Sequence, residues 1–596
     1  MSIKGRIAQT EIVRTMQRTL RLLTPKERQR AYRVAGYSLI SILIDIAGLS
    51  LIVPVMIVAN NPKILNEPGI YRDLFQWSGM HSQSQFLMFM AAILLAVFII
   101  KNSITLLSGY AQSRFAYDVG ANLARRQYFK YYNLGYRYFK EHNSADIVNN
   151  ILNIPVFFAG GVLVSLINFL VEITGLILIV ILIAVADYRL FFAMMLSLLP
   201  AGVLIYSATK NRLYNIGLKQ LKLGVSTHTK LYHSIHGLVD VRLTNKENFF
   251  LNAYMDEQVK MNDSHKIKHV LNMVPSRALE VIAVMGILVI FTFANITGDD
   301  GSEAYEFLVI FAGTAFRLLP SLNRALAAIM GMKSQLSTLD ILEEGTLPTK
   351  IARTEIKPLD FEKTLEFRDL SFRFAEGSNP AVENLSFTIQ KGDRIGVIGE
   401  SGSGKTTLIN ILLRFLIENE GGIYVDGKKL NDEDIASWRA KVGYVQQHVF
   451  LLDASLKENV AFGERPEEID ETRLRMALEQ ASLMDFVNSL PDKWDTPTGE
   501  MGARLSGGQR QRIGIARALY YQSSVLVLDE ATSALDNETE NSITESLQNL
   551  NQDVTVVVVA HRITTLRHCD RIIEMKDGRL IHTWSYPDLV HEKMLK

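Results

Sequence analysis

Leu505-Ser506-Gly507-Gly508-Gln509 stands between Gly399-Glu400-Ser401-Gly402-Ser403-Gly404-Lys405-Thr406 and Val525-Leu526-Val527-Leu528-Asp529-Glu530. The upstream stretch fits the P-loop pattern, in which backbone amides cradle phosphates and the lysine reaches the β/γ oxygens. Its surroundings agree. Arg394–Ile398 reads as a buried strand entering the loop, and Thr407–Phe415 as the helix leaving it. That strand–loop–helix order is what a working phosphate loop needs. The downstream stretch is an aliphatic run ending in two adjacent acids. A phosphate loop alone implies only some nucleotide hydrolase, so the middle stretch decides the fold.

Leu505–Gln509 resembles the signature of ATP-binding cassette (ABC) proteins. The resemblance implies a dimer in which each ATP lies between the phosphate loop of one subunit and the signature of the other. The other cassette elements follow in family order. Phe374 stands where the family places an aromatic that stacks on adenine; Tyr is usual there, and Phe keeps the stacking. Gln447 matches the glutamine that reaches Mg²⁺ and the attacking water. Gly499-Glu500-Met501-Gly502 matches a segment that exporters carry before the signature, which favours an exporter over an importer. Asp529 would help hold Mg²⁺, and Glu530 would be the general base. Ser533-Ala534-Leu535-Asp536 matches the loop that crosses the dimer, and His561 would contact the γ-phosphate.

Phosphoryl transfer to water needs charge neutralisation, positioning and a proton acceptor. The resemblance distributes these roles. Gly399, Ser401, Gly402, Gly404 and Thr407 belong to the phosphate cradle. Lys405 supplies charge, and Thr406, Gln447 and Asp529 are the Mg²⁺ set. Ser506, Gly507, Gly508 and Gln509 of a second copy, with Asp536, close over the ATP. They offer a hydroxyl and amides at a helix start, where the dipole favours anions. Glu530, Ser506 and His561 are all of the active type, so a homodimer with two working sites is the simpler expectation; pairing with a different subunit stays open.

The chain has 596 residues, too many for one core. Net charge is +1, so no global charge points to nucleic acid. A lone cysteine, Cys569, excludes an intrachain disulfide framework, and no His/Cys set has zinc spacing. The basic start (Lys4, Arg6, Arg14, Arg18, Arg21) lacks the adjoining apolar run of a signal peptide.

Hydrophobic residues make up 48% of the chain and gather before about residue 335. Six apolar runs there are long enough to span a bilayer: roughly 34–59, 86–110, 157–186, 190–209, 278–295 and 305–330. Arg28, Arg30 and Arg33 precede the first run, Arg125, Arg126 and Lys130 follow the second, and the loop after the fifth is acidic. The charge bias places both termini and the ATPase half in the cytoplasm. The stretches 111–156 and 210–276 are long and helix-compatible, whereas the link at 187–189 is minimal. This pattern resembles the transmembrane half of an ABC exporter. Coupling helices that touch the ATPase would lie near Tyr138–Glu141 and Ile235–Leu238. The external stretch 60–85 reads either as a short amphipathic element on the outer leaflet or as a loop with buried aromatics.

The expected organisation is therefore a transmembrane domain over residues 1–340 with cytoplasmic helical extensions, a linker over 341–362, and an α/β cassette over 363–596. The protein is expected as a domain-swapped homodimer, multi-pass in the bacterial inner membrane. Ionisable residues inside the spans cost about 2.5–3.5 kcal/mol each on insertion scales and so are functional candidates. Lys101, Arg277, Arg317 and Arg324 are the basic ones; Asp45, Glu172 and Glu280 oppose them. Either these pair between helices, or the basic set lines a cavity that holds an anionic headgroup. Ala315–Arg324, Lys101-Asn102 and the long first external loop are similar to ABC flippases of lipid-linked oligosaccharides in bacterial protein glycosylation. That similarity implies a polyprenyl-pyrophosphate-linked glycan as substrate, its pyrophosphate on Arg317 and Arg324. An exporter of drugs or other lipids is the alternative, and a non-pumping ATP-gated channel or regulator a second one.

Overall fold

Two compact units divide the computed structural model: Met1–Leu134 with Tyr138–Ile351, and Gly135–Arg137 with Ala352–Lys596. The structure describes residues 11–186, 188–297, 302–345, 348, 356–357, 359–374, 379–530, 553–560 and 562–595.

The first unit is helical throughout its described residues. Its helices are α1 (Glu11–Leu22), α2 (Pro25–Ser50), α3 (Ile52–Asn60), α4 (Ile70–Trp77), α5 (Gln83–Glu141) and α6 (Ser144–Leu152). They continue as α7 (Val164–Ala186), α8 (Tyr188–His236), α9 (Leu238–Leu243), α10 (Glu247–Thr297), α11 (Ser302–Ser334) and α12 (Leu336–Glu343). With 59, 49 and 51 residues, α5, α8 and α10 far exceed the stretch needed to cross a bilayer. Among the described residues, four helical segments are long and apolar enough to cross a membrane: Pro25–Gly48, Gln83–Glu141, Ser144–Val185 and Glu247–Val289. The two other expected spans fall on α8 and α11, where part of the side chains lies outside the description.

The apolar runs pack on one side only. Leu176 and Ile179 of α7 meet Met194 of α8 and Phe311, Ala315 and Leu318 of α11 in one buried cluster. Leu106, Leu107, Leu182 and Val185 point outward and are exposed. Surface this apolar is stable against lipid or another chain, not against water. Pro200, Pro275 and Pro320 sit inside α8, α10 and α11, a placement that membrane helices tolerate.

The stretch 60–85 holds a short amphipathic helix, and some of its aromatics are covered. On α4, Tyr71 and Phe75 pack against Val58, Leu65 and Phe86, while Ile70, Leu74 and Trp77 on its other side are exposed. Of the two stretches expected to hold coupling helices, the second has its separate helix slightly later than expected. Gly237 separates α8 from the short helix α9, so the separate element is Leu238–Leu243.

The second unit is α/β. A four-stranded antiparallel sheet has the order β2-β1-β4-β5, with β1 (Thr364–Phe372), β2 (Val382–Gln390), β4 (Glu420–Val425) and β5 (Lys428–Lys429). A six-stranded sheet has the order β10-β9-β3-β8-β7-β6. Its strands are β3 (Arg394–Gly399), β6 (Val442–Val445), β7 (Val525–Asp529), β8 (Thr555–Val559), β9 (Arg571–Lys576) and β10 (Arg579–Trp584). The interior strands are parallel and read as unbroken apolar runs, Val525–Leu528 and Thr555–Val559, because both faces are covered. One face packs with helix α13 (Lys405–Leu412) and the antiparallel sheet around Trp438. The other packs with α16 (Glu471–Gln480), α17 (Met484–Ser489) and α18 (Gly507–Tyr520). Between them in sequence lie the short helices α14 (Ile435–Arg439) and α15 (Leu456–Val460).

Gly135 breaks α5 with φ 76° and ψ −176°, and the three residues Gly135–Arg137 belong to this second unit. Within it, the Tyr136 ring stacks on Phe415 at 5.0 Å and 18°, and Arg137 donates to the Phe374 carbonyl at 2.7 Å.

Candidate ATP site

The site grows out of the carboxyl ends of two parallel strands, β3 and β7, which flank β8. β3 ends at Gly399, and the chain turns through the phosphate loop into α13, whose first residue is Lys405. Gly404 caps this helix in the left-handed region at φ 99°. A Cβ there would lie 2.5 Å from the Ala381 carbonyl oxygen, so both backbone shape and space demand glycine. Lys405 is buried and donates to the Gly399 and Glu400 carbonyls at 2.7 and 2.8 Å. Burial pushes its ammonium below the ordinary lysine value, while the charges of Glu530 and Asp529 pull the other way. Thr406 is exposed on the first turn of α13, with Thr407 beside it half-buried. Positive helix end, lysine and loop amides together form a concave anion site.

β7 delivers the two acids from the adjoining part of the sheet. Asp529 accepts a hydrogen bond from the Tyr444 hydroxyl at 2.9 Å. Glu530 accepts one from the Gln447 amide at 2.9 Å. Glu530 has φ 50°, a left-handed conformation that costs a non-glycine residue about 1–3 kcal/mol and persists where the surroundings dictate it. Its own N–H is held by the Val559 carbonyl at 3.0 Å. The structure thus joins Gln447 to Glu530, a bond the motifs did not specify. It adds Tyr444, whose part in the site has no motif of its own in the sequence.

Phe374 is 48% exposed and touches the Phe372 ring edge to face at 5.0 Å, so a large aromatic surface stays open for stacking. The signature forms the start of α18. Ser506 is its N-cap and accepts from the Gln509 N–H at 3.2 Å, while the Gln509 side chain accepts from the Ser506 N–H at 2.8 Å. This reciprocal capping box leaves the exposed serine and Gly507 at a positive helix end. Met501, in the segment before it, is left-handed at φ 49° and 60% exposed. Ser533–Asp536 and His561 lie outside the described residues.

The gathered donors suit ATP with Mg²⁺. Thr406, Gln447 and Asp529 offer hard oxygen ligands, the chemistry Mg²⁺ takes together with nucleotide phosphates. Among the described residues no group of three His, Cys, Asp or Glu could hold a metal by itself.

The intramembrane basic residues present a different picture. Lys101 is buried and meets Asp45 at 2.7 Å. Arg277 meets Glu280 at 3.1 Å on the same helix, both exposed. Arg324 grips Glu172 with two bonds, at 2.6 and 3.2 Å, and donates to Ser321 at 3.1 Å. The Arg317 side chain lies outside the description.

A nucleotide-binding α/β unit with this strand order, loop and signature helix is an ABC-type ATPase domain, here on one chain with a helical, membrane-type domain. Residues 382–533 match the ABC transporter family, and the chain as a whole has the fold of an ABC exporter. The solved structure of a bacterial Atm1-family ABC exporter with ATP bound superposes with a TM-score of 0.74 at 21% identity, over 95% of this chain and 96% of that one. Similar sequences include the ATP-dependent lipid A-core flippases of Bordetella avium, 44% identical over 38% of each chain, and of Thiobacillus denitrificans, 28% identical over 91% of this chain and 93% of that one. The flippase of Cupriavidus metallidurans is 27% identical over 88% of both. The chain spans 38% of the length of the Bordetella avium relative and 52% of that from Saccharophagus degradans, and nearly the whole of the more distant ones.

Proposed function

We propose that the chain is an ATP-driven exporter that flips a lipid with a phosphate-bearing glycan headgroup across the bacterial inner membrane, working as a homodimer. The observation that carries this is the cassette itself, with lysine, paired acids and signature helix in place, on one chain with apolar helices of exporter fold.

ATP binds with adenine on Phe374 and its phosphates in the loop 399–406. Thr406, Gln447 and Asp529 would hold Mg²⁺, which when bound would neutralise charge on the phosphate oxygens. Glu530 takes the proton of the water that attacks the γ-phosphorus; the bond to the β-phosphate oxygen breaks and ADP leaves. Gln447 orients Glu530 through the bond between them. Ser506, Gly507 and Gly508 of the second copy close over the phosphates, and Asp536 and His561 complete the site.

For the substrate, we favour a lipid-linked oligosaccharide on pyrophosphate. Arg324 remains 56% exposed although it is paired, so a phosphate can reach its guanidinium, and Arg317 is seven residues before it on α11. Arg277, exposed although paired with Glu280, completes the basic set at the substrate path, whereas Lys101 is buried against Asp45 and is withdrawn from it. A lipid A-core glycolipid is the second reading, favoured by the names of the relatives. Both are saccharides on phosphate-bearing lipids. The deciding experiment reconstitutes the protein in liposomes with each substrate in turn. ATP-dependent flipping of the lipid-linked oligosaccharide alone supports the first reading. Flipping of lipid A-core alone replaces it, and flipping of neither, with drug efflux instead, removes both.

A further inference from the structure

Tyr444 lies on β6, the last strand in the six-stranded order, and pairs in register with Val527 of β7. Side chains two apart along a strand share a face, so Asp529 projects on the same side as Val527. The half-buried Tyr444 ring reaches along that face, and its hydroxyl donates to Asp529 Oδ2 at 2.9 Å. Three residues later Gln447 donates to Glu530 Oε2 at the same distance. One short segment thus holds both adjacent acids, each by a neutral donor.

We infer that Tyr444 is a positioning residue that fixes the Asp529 carboxylate for its divalent cation. A hydrogen bond from a neutral hydroxyl to an ionised carboxylate is charge-assisted and directional, so it sets the side-chain torsion before the metal arrives. Carboxylates that ligate metals are themselves hydrogen-bonded in this way, and loss of the outer partner costs about 10–100-fold in metal affinity. The hydroxyl keeps its proton. An ordinary phenol titrates at about 10, so the group is a donor across the physiological range. A phenylalanine would fill the same space against Val442 and the buried core around Trp438 without contacting the acid.

The inference rests on Asp529 being a metal-holding acid, and the test separates the two. Full-length Tyr444→Phe and Asp529→Ala proteins are compared with the parent for Mn²⁺ affinity by electron paramagnetic resonance, with a non-hydrolysable ATP analogue bound. Nucleotide affinity is measured separately in EDTA. Tyr444→Phe should weaken Mn²⁺ binding about tenfold, leave nucleotide affinity in EDTA within about twofold, and melt like the parent without metal. Mn²⁺ affinity within about twofold of the parent in Tyr444→Phe, while Asp529→Ala loses it, overturns the role of Tyr444 alone. Unchanged affinity in Asp529→Ala overturns the metal role of Asp529 and the inference with it. Loss of nucleotide affinity in EDTA by Tyr444→Phe would show a general packing role and also overturn it.

Discussion

The Lys101–Asp45 pair gives the sharpest test of what holds the helical unit together. Lys101 of α5 has only 9% of its side chain exposed, Asp45 of α2 has 33%, and the two meet at 2.7 Å. Its stem runs past Gly48, where a Cβ would sit 3.0 Å from Lys101 Cδ, so α2 is shaped to admit it. The ammonium also lies 4.8 Å from the Phe98 ring centroid. Lys101→Met keeps the stem and deletes the charge, taking one cationic partner from the Asp45 carboxylate. Breaking a fully buried pair costs about 3–5 kcal/mol and an exposed one about 0–1. With one partner buried and the other one-third exposed, about 2 kcal/mol is expected. Adding Asp45→Asn removes the carboxylate whose partner was deleted and should return part of the loss, so the cycle should show coupling of about 1–2 kcal/mol. The assay is SDS-induced unfolding of the purified protein in mixed micelles, beside its basal ATPase rate. A Lys101→Met protein within about 0.5 kcal/mol of the parent, or a double variant no better than the single, refutes the reasoning.

Other expectations follow from the site and its supports. Glu530→Gln should bind ATP normally and lose nearly all turnover in a purified ATPase assay, since only the proton acceptor is removed; turnover within about twofold of the parent rejects its role. Lys405→Ala and Ser506→Arg proteins, each inactive alone, should regain partial ATPase when mixed into heterodimers, because one composite site is then intact; heterodimers that form and stay inactive count against the shared site. Arg317→Ala/Arg324→Ala should stop flipping while basal ATPase persists, and Lys at both should restore part of it, charge returning without the bidentate fork; normal flipping removes the phosphate-gripping role. Asp426 tests acid stability. Burial raises its pKa, but N–H groups of Glu362, Lys363 and Thr364 outweigh this and hold it below the ordinary value. A depressed folded pKa means that its contribution is present above the unfolded value, about 3.9, and is lost as pH falls through the folded one. Asp426→Asn should therefore be less stable than the parent at neutral pH, with the gap closing in thermal melts below about pH 4; a gap independent of pH contradicts this.

Local chemistry was written in the sequence. The phosphate loop needs Gly404 because the turn is left-handed and its wall is backbone, and that is a property of a few neighbouring residues. The Ser506–Gln509 capping box spans three residues, and the apolar runs of α2, α5, α7 and α10 are continuous. Motif order placed Gln447 and Glu530 in one site before any geometry existed. Tertiary structure decided what spacing cannot carry. Tyr444 and Asp529 are 85 residues apart and meet only because β6 and β7 pair in one register. Arg324 and Glu172, 152 residues apart, pair because α7 packs on α11; the sequence left pairing and substrate contact equally open. The break at Gly135 reads as ordinary helix in the periodicity, and only its φ of 76° and its grouping with the cassette set the tip of α5. In α4 the sequence supplied an amphipathic pattern with aromatics, but which side is covered depended on Phe86 and Val58 arriving from other helices. Short-range backbone demands and hydrophobic periodicity are encoded residue by residue, whereas partners across helices and strands are chosen by packing, which no single stretch contains.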